Sequence, residues 1–310
     1  MAILVTGANG YVGSSLIRQL LGRTSDPVVA LDIVPEPTRL SGLHDRLTYI
    51  QADVGDLSVM LSTIMKHRIK EIYHLGAMLS SMSETQHWKS YETNVGGTMQ
   101  LFELASSCGL KKLFFASSRG TFGRTPDRVI GDNSQQIPTH FYGWGKLYCE
   151  GVGRWYRDNK GLDFRCLRYP TVVGSGIRTA GHWAPAMIED AISGNDHQSV
   201  YGNAGSVGFF LHVDDAARAT LDLMEAPAGL VKSCVYNVSG LREPTTAAML
   251  AQRLRERFPN IDIALAGQRD STHEVAYDEF RDEGARAEWG WMPQFGTLDA
   301  IVDKFQADAS

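Results

Sequence analysis

Ala2-Ile3-Leu4-Val5-Thr6-Gly7-Ala8-Asn9-Gly10-Tyr11-Val12-Gly13 is the stretch on which the fold turns. Ala2–Val5 reads as a buried strand, the glycines as a tight turn, and the residues from about Gly13 to Leu21 as a helix. Glycines at 7, 10 and 13 have separate tasks in such a turn. One makes the sharp bend, one lets the backbone approach a pyrophosphate, and one lets helix and sheet pack closely. A pyrophosphate there meets free amides and the positive end of the helix. Gly7, Gly10, Tyr11, Val12 and Gly13 are therefore candidate dinucleotide contacts.

Outward from this turn the pattern repeats. Val28–Ile33, Leu47–Asp53, Glu71–Leu75, Lys112–Ala116 and Leu162–Tyr169 read as strands, with helices around Asn94–Ser107 and Tyr142–Asp158. Strands separated by helical stretches signal βαβ units and a parallel sheet covered on both faces. The fold class expected is α/β, a Rossmann doubly wound parallel sheet with a smaller, mainly C-terminal substrate lobe. Residues 1–170 would bind the dinucleotide and 171–310 would mostly form the substrate lobe. Within the latter, 205–240 would contribute back to the sheet. Helices Val213–Met224 and Thr246–Phe258 and a strand Cys234–Val238 are expected there.

Composition narrows the function. Of 310 residues 43% are apolar and 21% charged, ordinary globular usage that excludes disordered, collagenous and coiled-coil classes. A net charge of -5 argues against nucleic acid and anionic membranes, which need a concentrated positive patch. No apolar run approaches the roughly 20 residues of a membrane span, and the N-terminus lacks the features of a signal peptide. Cys108, Cys149, Cys166 and Cys234 are scattered without zinc spacing. The expectation is a cytoplasmic protein without a metal, acting on a small molecule.

Asp32 ends the second strand, where a carboxylate accepts hydrogen bonds from both ribose hydroxyls and repels a 2′-phosphate, selecting NAD over NADP. Asp53, beside Val54, would meet the adenine amino group or else cap the next helix. Tyr142 and Lys146 form Y-x-x-x-K, four apart and so on one helical face. A lysine ammonium near a tyrosine hydroxyl favours the phenolate, lowering a pKa of about 10 by about 1–3 units. Such a tyrosine takes the proton from an alcohol as hydride leaves. Ser117-Ser118 follow the fifth strand, at the sheet edge where ligands bind.

With these residues in hand, the chain resembles the extended short-chain dehydrogenase/reductase (NAD-dependent epimerase/dehydratase) superfamily over essentially its whole length. The resemblance rests on TGANGYVG (Thr6–Gly13), YHLGA (Tyr73–Ala77), NVGGT (Asn94–Thr98), SSRGTFG (Ser117–Gly123), YGWGK (Tyr142–Lys146), LRYP (Leu167–Pro170) and HVDDAARA (His212–Ala219). It implies NAD as cofactor and Ser118, Tyr142 and Lys146 as the catalytic triad. It also implies that Leu75, Gly76, Ala77 and Asn94 line the cofactor and that Tyr169 and Pro170 pass the nicotinamide. Relatives dimerise by packing the helices around Asn94–Ser107 and Tyr142–Asp158 into a four-helix interface, which Trp144 and Leu147 would suit.

Departures narrow the chemistry. Arg119-Gly120 stand where sugar dehydratases carry Asp-Glu, so water elimination lacks its acid and base. Thr171 replaces the asparagine, and Gly208 the arginine, with which nucleotide-sugar epimerases hold a diphosphate. Two charge-assisted or polar contacts to that group are thus missing. IYHLGAMLSS (Ile72–Ser81), FFASSRGTFG (Phe114–Gly123), LMEAPA (Leu223–Ala228), VYNVSG (Val235–Gly240) and EWGWMPQF (Glu288–Phe295) are instead similar to the short-chain L-threonine 3-dehydrogenase type. That likeness implies that Ser80 meets the substrate's carboxylate or amine, and Ser118 and Tyr142 its hydroxyl. The loop Gly176–Trp183, containing Arg178 and His182, departs from that type, and so does Arg119.

Arg119 either grips a substrate carboxylate or points into solvent or a surface salt bridge. Thr171 and His182 are further candidate substrate contacts. His74 reads as structural, Cys149 as packing, Asp214-Asp215 as caps of the following helix, and Trp289 and Trp291 as anchors of the C-terminal lobe. The expected activity is NAD-dependent oxidation of a secondary alcohol on a small polar substrate, a β-hydroxy amino acid such as L-threonine or a hydroxy or sugar acid. The alternatives are a sugar or nucleotide-sugar epimerase with tightly bound NAD, and a non-catalytic NAD(H) sensor.

Overall fold

The computed structural model describes residues 2–43, 45–177, 179, 182–200, 202–267 and 277–309. Arg178, one of the loop residues considered above, lies outside them. Seven strands form the central sheet: β1 (Ala2–Thr6), β2 (Val28–Asp32), β3 (Leu47–Gln51), β4 (Ile69–His74), β5 (Lys112–Ser118), β6 (Asp163–Tyr169) and β7 (Val235–Asn237). Their order is β3-β2-β1-β4-β5-β6-β7. Every pairing is parallel. The strand order reverses between β1 and β4, the switch point at which open α/β sheets bind ligands.

Alternation along the strands divides two cores. Ile3, Val5, Val28 and Ala30 face one side, where Leu16, Ile17 and Leu20 of α1 (Tyr11–Arg23) meet Ala216, Ala217 and Leu221 of the helix Val213–Glu225. Ala2, Leu4, Val29 and Leu31 face the other, against Met60 and Ile64 of α2 (Leu57–His67), Leu101 and Phe102 of α3 (Thr98–Ser107) and Tyr156 of α4 (Phe141–Lys160). Successive strand residues point to opposite faces, and a sheet covered on both must be apolar throughout. A separate core holds the C-terminal lobe, with Met187, Ile188, Leu250, Leu254, Val302 and Phe305 at its centre.

Boundaries differ modestly from the periodicity. β5 runs on to Ser118, because its last two residues pair with Arg168 and Tyr169 of β6. The helix expected from Asn94 begins as a π-helical turn over Tyr91–Gly97, an irregularity common at functional sites. Asp214 and Asp215 do not cap their helix. His212 does so, its Nδ1 accepting the Asp214 amide at 3.2 Å. Asp215 is fully buried and accepts instead from the Gln294 and Phe295 amides at 2.9 and 2.8 Å. Trp291 is buried in the core shared with α1, with Trp289 beside it at 6.0 Å between rings. The four cysteines are free thiols. Among the described residues, no helix is long and apolar enough to cross a membrane.

Candidate active site

The carboxyl ends of β1, β2, β4, β5 and β6 open onto one cleft of about 700 Å³. At its floor Gly7 has φ +67° and packs directly on the β4 end. A Cβ on Gly7 would lie 2.7 Å from the Gly76 nitrogen, and one on Gly13 only 2.2 Å from the Gly7 carbonyl oxygen. Side chains are thus excluded where two backbones and a helix converge. No side chain caps the first turn of α1, and no acid occupies it. That end of the helix, with Gly10, Tyr11 and Val12 on the cleft wall, presents amides and positive dipole to an anion.

Asp32 lies at the end of β2, its two oxygens accepting from the Asn9 amide at 2.8 Å and the Val34 amide at 3.2 Å. The carboxylate is held rigidly at the cleft edge, with lone pairs to spare for ribose hydroxyls. Asp53 also lines the cleft. It is not the cap of α2, a place taken by Asp56, which accepts the Val59 amide. Burial alone would raise the Asp53 pKa, but the Gly55 amide and Lys89 outweigh it and hold the carboxyl below its ordinary value. Val54, Leu75, Gly76 and Ala77 complete this end. An uncapped helix, a seam that any Cβ would fill and a fixed carboxylate together fit a dinucleotide.

Asn94 is not on the wall. It is buried, accepts the Met78 amide at 2.7 Å and donates to the Met78 carbonyl at 3.0 Å. It shapes the segment before Ser80 from behind. His74 is likewise behind, with Nδ1 2.7 Å from Thr6 Oγ1 and Nε2 2.9 Å from Thr98 Oγ1. Thr98 gives its own proton to the Asn94 carbonyl, so the network is satisfied by a neutral imidazole protonated on Nε2. Burial, assisted by the Lys146 charge, pushes its pKa down to about 3.

Ser118, Tyr142 and Lys146 face the same cleft as the glycine turn. Ser118 ends β5, and its Oγ accepts the Gly120 amide at 3.0 Å. Tyr142 and Lys146 lie one turn apart on α4, whose start is fixed by His140 Nδ1 accepting the Gly143 amide at 2.9 Å. Lys146 Nζ donates to the Ala116 carbonyl at 2.6 Å and sits 4.5 Å from the Phe115 ring centroid and 5.5 Å from that of Tyr142. Burial pushes the Lys146 pKa down to about 8, against Cys149, Cys166 and Glu150, which raise it. The expected lowering of the Tyr142 pKa is not found. Burial raises it instead.

Ser80, Arg119, Tyr169, Pro170, Thr171 and His182 also line the cleft. Tyr169 is fixed by a hydrogen bond between its hydroxyl and that of Thr220. Arg119 does not point away into solvent. Its Nη1 donates to the Tyr277 hydroxyl at 2.8 Å, across 158 residues of sequence.

Three participants carried no assigned role in the sequence reading. Arg39 lies 4.2 Å over the Tyr11 ring near Asp32, and Tyr277 shares the wall with Arg119. Glu150, one turn beyond Lys146, pairs with Arg168 at 2.7 Å and accepts from the Ser117 hydroxyl. Both charges are essentially inaccessible. The signal was an arginine between Leu167 and Tyr169 in a strand of the central sheet, because a buried charge requires a partner.

The sequence profile of the NAD dependent epimerase/dehydratase family matches residues 3–239. The mitochondrial L-threonine 3-dehydrogenase of Sus scrofa is 32% identical, over 97% of this chain and 80% of its own length. The UDP-glucose 4-epimerase of Lacticaseibacillus casei is 25% identical over 98% and 95% respectively. Among solved structures, the L-threonine dehydrogenase of Cupriavidus necator in its holo form superposes with a TM-score of 0.89 at 30% identity, covering 100% of both chains. A dinucleotide fold, a Ser/Tyr/Lys cleft and a profile match over most of the length agree: the chain belongs to the NAD dependent epimerase/dehydratase family of extended short-chain dehydrogenases/reductases, enzymes of nicotinamide chemistry.

Proposed function

We propose that this enzyme is a dehydrogenase that uses NAD to oxidise the secondary alcohol of a small polar substrate, a β-hydroxy amino acid such as L-threonine or a hydroxy or sugar acid. The observation that carries the reading is that Ser118, Tyr142 and Lys146 share one cleft with the glycine turn and Asp32. Nicotinamide, when bound, supplies the hydride acceptor. Tyr142 Oη takes the hydroxyl proton as the carbon loses its hydride, leaving a ketone. Ser118 Oγ already accepts the Gly120 amide, which leaves its own proton for the substrate oxygen. Lys146 brings the positive charge that offsets the burial of a phenolate, and it would hold the nicotinamide ribose. Tyr169, Pro170 and Ala77 would flank the ring, and Ser80, Thr171 and His182 the substrate.

Asp32 supports NAD over NADP, since a carboxylate anchored by two amides repels a 2′-phosphate; equal affinity for both cofactors would remove that preference. We also propose a homodimer through α4. Trp144, Tyr148 and Trp155 are each about half exposed along it, with Trp88 and Tyr91 exposed on the segment that leads into α3. Sedimentation as a monomer at all concentrations would refute it. Four free thiols support a reducing, cytoplasmic setting.

The central test mixes the protein with NAD and L-threonine, β-hydroxy acids, sugar acids and UDP-sugars, following NADH absorbance and product chromatography. NADH should accumulate with a small acid. Tyr142→Phe should lower kcat by about 10²–10⁴-fold with NAD affinity unchanged, and full turnover by that variant would sink the mechanism. An isomerised sugar without NADH would replace this reading with epimerisation, which the likeness to a UDP-glucose 4-epimerase supports.

A further inference from the structure

The cleft wall carries four cationic side chains among the described residues: Arg39, Lys89, Arg119 and Lys146. Lys89 is neutralised by Asp53 at 3.2 Å. Arg39 donates to the Asn9 carbonyl, and Lys146 to that of Ala116. Arg119 stands at the other end, and its contacts are of a different kind. One nitrogen, Nη1, is held by the neutral Tyr277 hydroxyl. The guanidinium carbon lies 5.6 Å from the Phe209 ring centroid and 5.7 Å from that of Tyr277. Those two rings stack on each other at 5.5 Å, and Phe209 is fully buried against Phe280. The Nε proton is buried with no hydrogen-bond partner. An always-charged group is thus clamped in an aromatic wall with no carboxylate beside it among the described residues.

We propose that Arg119, oriented by Tyr277, is a carboxylate-binding subsite, so that the substrate is a hydroxy acid whose carboxylate lies close to the reacting carbinol. This deepens the dehydrogenase reading and rests on it for the identity of the reacting alcohol. A buried Nε proton without a partner is costly until an acceptor arrives, and the planar donors of a guanidinium match the two oxygens of a carboxylate. Aromatic walls lower the local dielectric and strengthen that pairing. Arg119 directly follows Ser118, the residue that would hold the alcohol oxygen, and both line this cleft, which favours an anion on the same small molecule as the carbinol. The diphosphate of a nucleotide sugar is farther from the carbinol that reacts, across a pyranose ring.

The test is a binding measurement that does not require turnover. With NADH present, L-threonine, 3-hydroxybutyrate and tartronate are each titrated calorimetrically beside the corresponding amide, which keeps the hydroxyl and loses the carboxylate. At least one acid should bind tenfold or more tightly than its amide. Arg119→Gln should erase that ratio while leaving NADH and amide binding in place, and Arg119→Lys should restore part of it. If Arg119→Gln does not fold, Tyr277→Phe keeps the charge, frees Nη1 and should narrow the ratio by a smaller factor. The subsite is overturned if acids and amides bind alike, if the ratio survives Arg119→Gln, or if UDP displaces the acid and needs Arg119 to do so. Failure of the dehydrogenase reading would look different: no NADH from any alcohol, with the acid-to-amide ratio and its dependence on Arg119 intact.

Discussion

At the end proposed for the cofactor, main chain makes the shape: Gly7 and Gly13 bring a turn and a helix start against the strand end at Gly76 with no room for a Cβ of their own. At the end proposed for the substrate the wall is made of side chains, from Ser118-Arg119 and Tyr277 with Phe209 behind them, which come from distant stretches of sequence. Backbone shape needs particular residues at fixed short spacing. A side-chain wall needs only that tertiary packing bring suitable groups together. The first kind of site therefore serves many enzymes unchanged, and the second is where relatives can diverge in substrate.

The seam between the two ends offers the largest expected effect. Glu150 lies on the helix of Tyr142 and Lys146 and binds Arg168 of β6 and Ser117 of β5. Glu150→Ala leaves the Arg168 charge buried and uncompensated, a change that costs about 3–5 kcal/mol. Urea denaturation should reveal that loss, and both NAD binding and catalysis should weaken together, because the pair ties the helix of Tyr142 and Lys146 to the strands that end in Ser118 and Tyr169. A variant of wild-type stability would show that Gln136 and the Asp132 carbonyl, which also hold Arg168, suffice.

A smaller effect confined to one end would sharpen the contrast. Gly13→Ala places a methyl group 2.2 Å from the Gly7 carbonyl, so the turn must shift away from the start of α1. Overpacking of this kind costs about 1–3 kcal/mol. NAD affinity should fall by tenfold or more, while the dependence of acid binding on Arg119 persists in whatever fraction binds cofactor. Unchanged NAD affinity would mean that the seam tolerates more than its geometry allows.

The same contrast explains what could be read from the sequence. The doubly wound sheet was legible because its strands are apolar on both faces and its switch point carries the glycine turn. The positions of Ser118, Tyr142 and Lys146 in one cleft followed from a strand end and one helical face. Tyr277 was not legible, since nothing local marks a tyrosine 158 residues from the arginine it holds. Asp53 was ambiguous and Asp214-Asp215 were misread as caps for a related reason: an acid before a helix looks like a cap, and only the fold reveals that Asp56 and His212 already fill that role. The rise of the Tyr142 pKa was not legible, because spacing on a helix does not say how deeply the phenol is buried.

The smallest effect tests the support behind the cofactor end. His74 joins Thr6, just before the glycine turn, to Thr98 of α3, and it is held neutral. Its pKa falls from the ordinary value of 6.5 to about 3, mainly through burial. An unfolded chain would protonate this imidazole near pH 6.5, well before the folded one does, so the folded state is progressively disfavoured as pH drops below 6.5. Between pH 7.5 and 5.5 this residue alone should remove about 1 kcal/mol of stability. His74→Asn keeps a polar group but cannot titrate, so its unfolding free energy should decline less steeply than that of the wild type over this interval, by that amount. Parallel pH profiles for the two proteins would show that the imidazole gains a proton without losing its place, and that water or a shifted threonine relieves the charge. The main-chain geometry of the turn would then be independent of the side chains behind it, and the contrast between the two ends of the cleft would be stronger still.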